Sequence, residues 1–320
     1  RFPDNAAEID AYFEALRSGE EAIRLVSAER SMPEPVRSAH RWWNKKKIDR
    51  WCGRTTSEVI GECISDPKLA AVLSAQWGTY GGIPKQASFA IHALIIRHYL
   101  EGAGYPVGGA GSIAAGLVPV IESAGGSARP GTMVDEILID HGRAIGVRTM
   151  SGEEFKAPAI VSAIGAGETV DRLLPREISE QEWAGEIAAM KPSICHFEMF
   201  LGFEGDIAKL GATRSNHWFF ESWDTNEGLW TNTENPIQMM FVSFPSLKDA
   251  KHDPGPSHRH TGQFMVLADW ATVADFITDD GIKDADKWAA FKDDVQARMM
   301  AFFANKFPAL APLVVCRVFG

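Results

Sequence analysis

The sequence predicts a mixed α/β fold with α+β character, and three observations predict it. Apolar residues recur at helical spacing through the first hundred positions. A glycine turn then opens a helix and a set of short strand-like runs between about 105 and 165. From 193 onward, aromatic-rich runs alternate loosely before one long helical stretch, as in an antiparallel sheet with a covered face. The expected parts are a helical region over 1–104, a central piece over 105–175 and a sheet-and-helix region over 176–320. With 45% hydrophobic and 23% charged residues, the 320-residue chain is globular rather than disordered. Its 42 Asp+Glu against 32 Lys+Arg give a net charge of -10, which argues against a nucleic-acid partner.

Ile9, Phe13, Leu16, Ile23 and Leu25 place a helix before Ser27. Thr56 and Ser57 are candidate N-caps for a helix over TSEVIGECIS. Pro67 suits the first turn of the next helix, KLAAVLSAQW. QASFAIHALIIRHYL follows the breaker GGIPK as a further apolar helix.

Between these helices, residues 41–54 interleave Arg41, Lys45, Lys46, Lys47, Arg50 and Arg54 with Trp42, Trp43 and Trp51. This segment is open to two readings. It is a membrane-facing helix, since aromatic and basic side chains suit a headgroup layer, or a solvated helix whose tryptophans enter a core.

After Gly104, YPVGGAGS turns into the helical run IAAGLVPVIESA. Strands are expected at MVDEILI, AIGVRTM and AIVSAI, the last buried, with a hairpin turn at DHG. Later strands are expected in SICHFEMFLGF, NHWFFESW, IQMMFVSF and GQFMVLADW, then the helix KWAAFKDDVQARMMAFFANKF and a strand at LVVCRVF. Trp183, Trp218, Trp223, Trp230, Trp270 and Trp288 in this half are expected to line a core or an apolar cavity.

Gly109-Ala110-Gly111-Ser112-Ile113-Ala114 spells GxGxxA, but no strand is expected upstream. A pyrophosphate site needs a strand feeding the first glycine, so a plain turn or one wall of a ligand site are the readings left. The widely scattered cysteines Cys52, Cys63, Cys195 and Cys316 have no zinc-like spacing and are expected to be reduced. His258 and His260 sit in a Pro/Gly loop without an indicated third ligand, and no GxSxG elbow is present. Glu198, between apolar neighbours, is either buried or solvent-facing. No metal site and no catalytic side chain is assigned.

The run from YPVGGAGSIAAG through MVDEILIDHGRAIGV to IVSAIGAGETVDRLLP is similar to the middle of an FAD-dependent oxidoreductase. The order of a GG turn, a helix, a V-x-x-I strand, a GV strand and a strand ending in VSA resembles the phytoene desaturase, carotene isomerase and retinol saturase group. That group in turn resembles the amine oxidase superfamily. FLGFEGDIAKLG, SNHWFF, FVSFPSLKD and KFPAL fit the same resemblance.

The resemblance implies FAD as cofactor, with Val134, Ala163, Ile164 and Gly165 beside it, Ile137 as the inward partner of Val134, and Gly108, Gly109 and Ser112 facing the substrate. It implies hydride transfer between FAD and a carbon–carbon bond of an apolar, polyene or isoprenoid-like molecule, with the protein positioning the substrate. The fold expected on this basis is an incomplete FAD-domain piece plus a substrate domain of helices on an antiparallel sheet. The family's opening GxGxxG and its closing glycine-rich segment are not in this sequence, so an internal fragment that binds FAD weakly and is inactive alone is expected. The alternatives are an amine-oxidase-like or protoporphyrinogen-oxidase-like flavoprotein, and a cofactor-free lipid-binding or scaffold protein. Further expectations are self-association through an exposed edge, and a cytoplasmic location with a peripheral membrane surface as partner.

Overall fold

A computed structural model describes residues 1–191, 193–278 and 281–320. Two compact units are formed, one by Arg1–Ser112 with Ser193–Gly320, the other by the chain from Ile113 to residue 191. These limits differ from the sequence-based ones at 104/105 and 175/176.

The first unit opens with helices α1 (Ala6–Glu29), α2 (Val36–Cys52), α3 (Thr56–Cys63), α4 (Pro67–Ser74) and α5 (Phe89–Leu100). Tyr12, Leu16, Val59, Ile60, Leu69 and Phe89 pack into one apolar cluster among α1, α3, α4 and α5. The cap of α3 is Thr55 rather than Thr56 or Ser57. Its hydroxyl accepts from the Glu58 amide at 3.2 Å and the Glu58 carboxylate accepts from the Thr55 amide at 2.7 Å, a reciprocal capping box. Thr56 is buried instead, its amide donating to the Ala87 carbonyl. Pro67 opens α4 as expected, with Asp66 capping the amides of Lys68 and Leu69.

The same unit holds a five-stranded antiparallel sheet. In sequence its strands are β4 (Cys195–Glu204), β5 (His217–Phe220), β6 (Met239–Ser243), β7 (Arg259–Ala268) and β8 (Val314–Phe319), all at expected places, in spatial order β8-β4-β7-β6-β5. β1 to β3 belong to the second unit. Alternation sends Phe197, Met199, Leu201 and Phe203 of β4 to one face. That face is covered by the long helix Ala285–Lys306 through Val295, Met299 and Phe303. Phe303 stacks on Phe264 of β7, with ring centroids 4.9 Å apart and planes 11° apart. Trp77, after α4, joins helices to sheet by packing with Met239 and Leu267. Its indole N–H donates to the Thr225 carbonyl at 2.9 Å.

The second unit takes most of α6 (Gly111–Ser123), a three-stranded meander and short helices up to Ala188. Ile113, Leu117, Val120 and Ile121 of α6 are exposed. In the meander, β1 (Val134–Asp140) pairs with β2 (Arg143–Thr149), and β2 with β3 (Glu154–Lys156). The turn has positive φ at both His141 and Gly142, as a tight two-residue hairpin requires. Ile137, Val170, Leu173 and Ala184 are its buried apolar side chains.

The expected strand at AIVSAI is corrected. Among the described residues no strand pairs with 160–164, and Val161 is 92% exposed. An apolar run becomes a buried strand only where neighbours satisfy its backbone. The third strand comes instead from Glu154–Lys156, too short for period-two alternation to register. Trp183 and Trp270 lie exposed rather than in a core or cavity wall, Trp223 is exposed yet lines a cavity of about 380 Å³, and Trp230 is buried. Trp183 sits on a short solvated helix, and Trp223 lies beneath the Lys68 ammonium.

Candidate functional site

The sheet's second face builds a cavity in the first unit. Trp218, Phe241 and Met265 stand directly opposite one another across β5, β6 and β7, and Glu198 of β4 continues the row. Alternation turns this row away from the long helix, because Met240, Val242, Phe264 and Val266 take the covered face. The Trp218 and Phe241 rings lie 4.8 Å apart. With Tyr99 and Tyr105 these side chains line a cavity of about 750 Å³, within the range that holds a small organic ligand.

Two cations, Lys248 and Arg214, also line the cavity. Lys248 ends the short helix Pro245–Lys248, and its ammonium donates to Ser243 Oγ at 2.7 Å and to Asn216 Oδ1. Burial pushes its pKa below the ordinary lysine value. Arg214 donates through Nε to the Leu247 carbonyl at 2.9 Å. Among the described residues no carboxylate side chain lines this cavity. The arrangement suits an apolar molecule laid along the aromatic row, with the cations favouring a polar or negatively charged group at one end.

The glycine corner abuts this cavity. Gly108 and Gly109 have positive φ, a conformation that glycine adopts without a Cβ clash. The Gly108 amide donates to Asp249 Oδ1 at 2.8 Å, and Ser112 Oγ donates to the Gly109 carbonyl at 2.7 Å. The Asp249 carboxylate also accepts from the Lys251 amide, and these backbone donors, Gly108 first, hold its pKa below the usual aspartate value. Tyr105 and Lys248, which line the cavity, lie three residues from Gly108 and one from Asp249. Residues 101–107 hold no strand, so the GxGxxA run lacks the strand–turn–helix of a dinucleotide fingerprint.

Val134, Ala163, Ile164 and Gly165 all lie in the second unit. β1, which starts at Val134, packs against the turn Thr169–Leu173 that follows the 163–165 bend. Ala163 and Ile164 are exposed, and Gly165 has φ +106° with open space where a Cβ would stand. Among the described residues, the amides of 159–165 donate to no protein acceptor. Bare glycine backbone and free amides fit a nucleotide cofactor held through the main chain.

Asp249, Lys248, Arg214 and Asn216 have no role in the sequence reading, although FVSFPSLKD and SNHWFF contain three of them, because they are brought together from distant segments. The signal was FVSFPSLKD, where a proline-started turn ends in a lysine–aspartate pair. Glu198 is half-buried, and the Gln263 amide donates to its carboxylate. His258 is exposed, whereas His260 is buried and its Nδ1 lies 3.2 Å from Ser246 Oγ. Among the described residues no group of three metal-ligating side chains occurs, and no cysteine is disulfide-bonded.

No family model matches the chain. It is 30% identical over 280 residues to an all-trans-retinol 13,14-reductase of Danio rerio, covering 80% of this chain and 45% of that one. It is 26% identical to a chloroplastic prolycopene isomerase of Arabidopsis thaliana, covering 91% of this chain and 47% of that one. A neurosporene-forming phytoene desaturase of Cereibacter sphaeroides is 34% identical over 176 residues, which is 53% of this chain and 34% of that one. The chain thus spans about half the length, or less, of these curated relatives. An oxidoreductase from Methanosarcina mazei shares the fold with a TM-score of 0.57 at 17% identity, over 91% of this chain and 62% of that one.

Proposed function

We propose that this chain, a relative of the retinol 13,14-reductases, prolycopene isomerases and phytoene desaturases, supplies the substrate-binding part and the middle of the cofactor part of an FAD-dependent oxidoreductase. Its substrate is an apolar polyene or isoprenoid-like molecule, altered at a carbon–carbon bond. The observation that carries this reading is the row Trp218–Phe241–Met265 flooring a cavity in the sheet unit. A flat apolar face of three successive strands suits an extended hydrocarbon better than a compact polar one.

Val134 and the Ala163–Gly165 bend are assigned to the cofactor, which they would meet through backbone groups. FAD held there would supply the two-electron chemistry, hydride transfer to or from a substrate carbon. The chain's own residues do the positioning. The aromatic row excludes water and orients the substrate's long axis, while Tyr99 and Tyr105 narrow the cavity. The corner Gly108–Ser112, pinned by Asp249, fixes the rim.

The cavity disfavours the amine-oxidase alternative. Its charged lining residues are Arg214 and Lys248, which repel an ammonium substrate rather than attract one. The scaffold alternative is separated by flavin binding. The test is product analysis by mass spectrometry after incubating the purified full-length protein with polyene and retinoid substrates and an electron donor or acceptor. A gain or loss of two hydrogens is expected. Turnover of amines but not polyenes, or no flavin at all, overturns the proposal.

A further inference from the structure

We propose that the solvent-facing side of α2 docks the protein on an anionic bilayer surface, with Trp42 and Trp43 entering the headgroup layer and Lys46 and Arg50 meeting its phosphates. The inference is independent of the function proposed above.

Tryptophan belongs to the residues that proteins bury on average, yet Trp42 is 76% exposed and Trp43 81% exposed. Helix α2 has no buried residue at all. It leans on α1 and α5 with its other side, where Trp51 packs near Phe89 with ring centroids 5.9 Å apart. The two exposed indoles touch edge-to-face at 6.3 Å and point away from that contact. They form one solvated aromatic step on a helix otherwise rich in charge.

The charges around them are not equivalent. Arg37 pairs with Glu34, Arg41 lies 3.7 Å from Glu29, Lys45 pairs with Asp49 and Lys47 with Glu21. Among the described residues, no carboxylate lies within ion-pair distance of Lys46 or Arg50. Lys46 is one turn beyond Trp42 and Arg50 two turns beyond it, so both share the tryptophan side of the helix. Lys46 stands beside the indoles, while the exposed Arg50 holds its guanidinium 5.0 Å from the Trp51 ring centroid.

This combination selects the occupant. Between 36 and 54, seven arginines and lysines stand against one aspartate, in a chain of net charge -10. A second copy meeting this face would set basic side chains against basic side chains. An anionic bilayer complements both halves of the face at once, since indoles favour the interfacial layer and cations its phosphates. Among the described residues no helix is long and apolar enough to cross a membrane, so α2 lies on the surface instead of spanning it.

The test uses the full-length protein in co-sedimentation with phosphatidylcholine vesicles, with and without phosphatidylserine. Binding is expected to rise with phosphatidylserine and to fall with added salt. Trp42→Ser with Trp43→Ser should lower the partition coefficient about tenfold or more. Lys46→Gln with Arg50→Gln should abolish the preference for phosphatidylserine while leaving the fold intact by circular dichroism. Quenching of tryptophan fluorescence by brominated lipid should disappear in the double tryptophan variant. Three results would overturn the proposal: no vesicle binding, binding unchanged by both double variants, or variants that alter only the oligomeric state in sedimentation velocity.

Discussion

The backbone amide of Gly108 donates to the carboxylate of Asp249 at 2.8 Å, across 141 residues of sequence. This bond ties the glycine corner to the short helix that ends in Lys248, so one hydrogen bond fixes two edges of the proposed substrate cavity. Replacing Asp249 with alanine should leave the global fold intact and speed hydrogen exchange at the Gly108 and Lys251 amides. Asp249→Asn, which keeps an acceptor oxygen, should be milder. The pH response has a definite sign. A carboxylate whose folded pKa is depressed stabilises above its unfolded value of about 3.9, and the contribution is lost as pH falls through the lower folded value. Exchange at Gly108, corrected for intrinsic rate, should therefore loosen only in acid. Equal protection in the alanine variant would show that the corner is held by something else.

Gly78 lies under the cavity's aromatic row. A Cβ at this position would run into the Trp218 ring. Gly78→Ala should displace the indole, shift tryptophan emission and destabilise the protein by about 1–3 kcal/mol. Activity on the bulkiest accepted substrate should fall more than activity on the smallest. Uniform loss across substrates would argue against Trp218 as a cavity wall.

His92 of α5 is fully buried between two tyrosines, with Tyr12 Oη at 2.8 Å from Nε2 and Tyr80 Oη at 3.1 Å from Nδ1. Burial lowers its pKa to about 4, and burial likewise pushes the Tyr80 phenol up to about 12. The neutral ring donates from one nitrogen and accepts at the other. His92→Phe strands the buried Tyr12 hydroxyl and removes one partner of Tyr80, and should cost about 1–3 kcal/mol near neutrality. In the unfolded chain His92 titrates near 6.5, so the unfolded state binds the extra proton between about 6.5 and 4. Native stability should thus decline by about 2–3 kcal/mol from this group as pH falls to about 4.5. The phenylalanine variant lacks that component, so its deficit should narrow in acid, as read by urea unfolding at both pH values.

Phe303 anchors the long helix to the covered face of the sheet through its stack on Phe264. Phe303→Ala should destabilise by about 3–5 kcal/mol. Chemical denaturation of wild type and variant measures it, and a loss below about 1 kcal/mol would contradict the central place given to this contact.

Long periodic elements were legible in the sequence. α1, α5, the long helix at 285 and β4 to β7 carry enough apolar repeats for the period to speak. The resemblance also marks the Gly108–Gly109 turn and the strand that starts at Val134. Features made by distant or very short segments were not legible. Glu154–Lys156 is three residues long, and the 160–164 run reads as a strand although nothing pairs with it. Asp249 meets the glycine corner across 141 residues of sequence, a contact no local pattern signals. Trp42 and Trp43 stood between two readings, since composition alone does not tell which side of a helix meets the core.

The most direct measurement is anaerobic mixing of the purified full-length protein, carrying whatever cofactor it retains, with an apolar polyene substrate or its product while flavin absorbance is followed. Bound flavin is expected to bleach or regain its colour on mixing, coupled to a two-hydrogen change in the polyene and slowed when Trp218 is replaced by alanine. A protein without flavin, or a flavin that responds to amines and ignores polyenes, would contradict it.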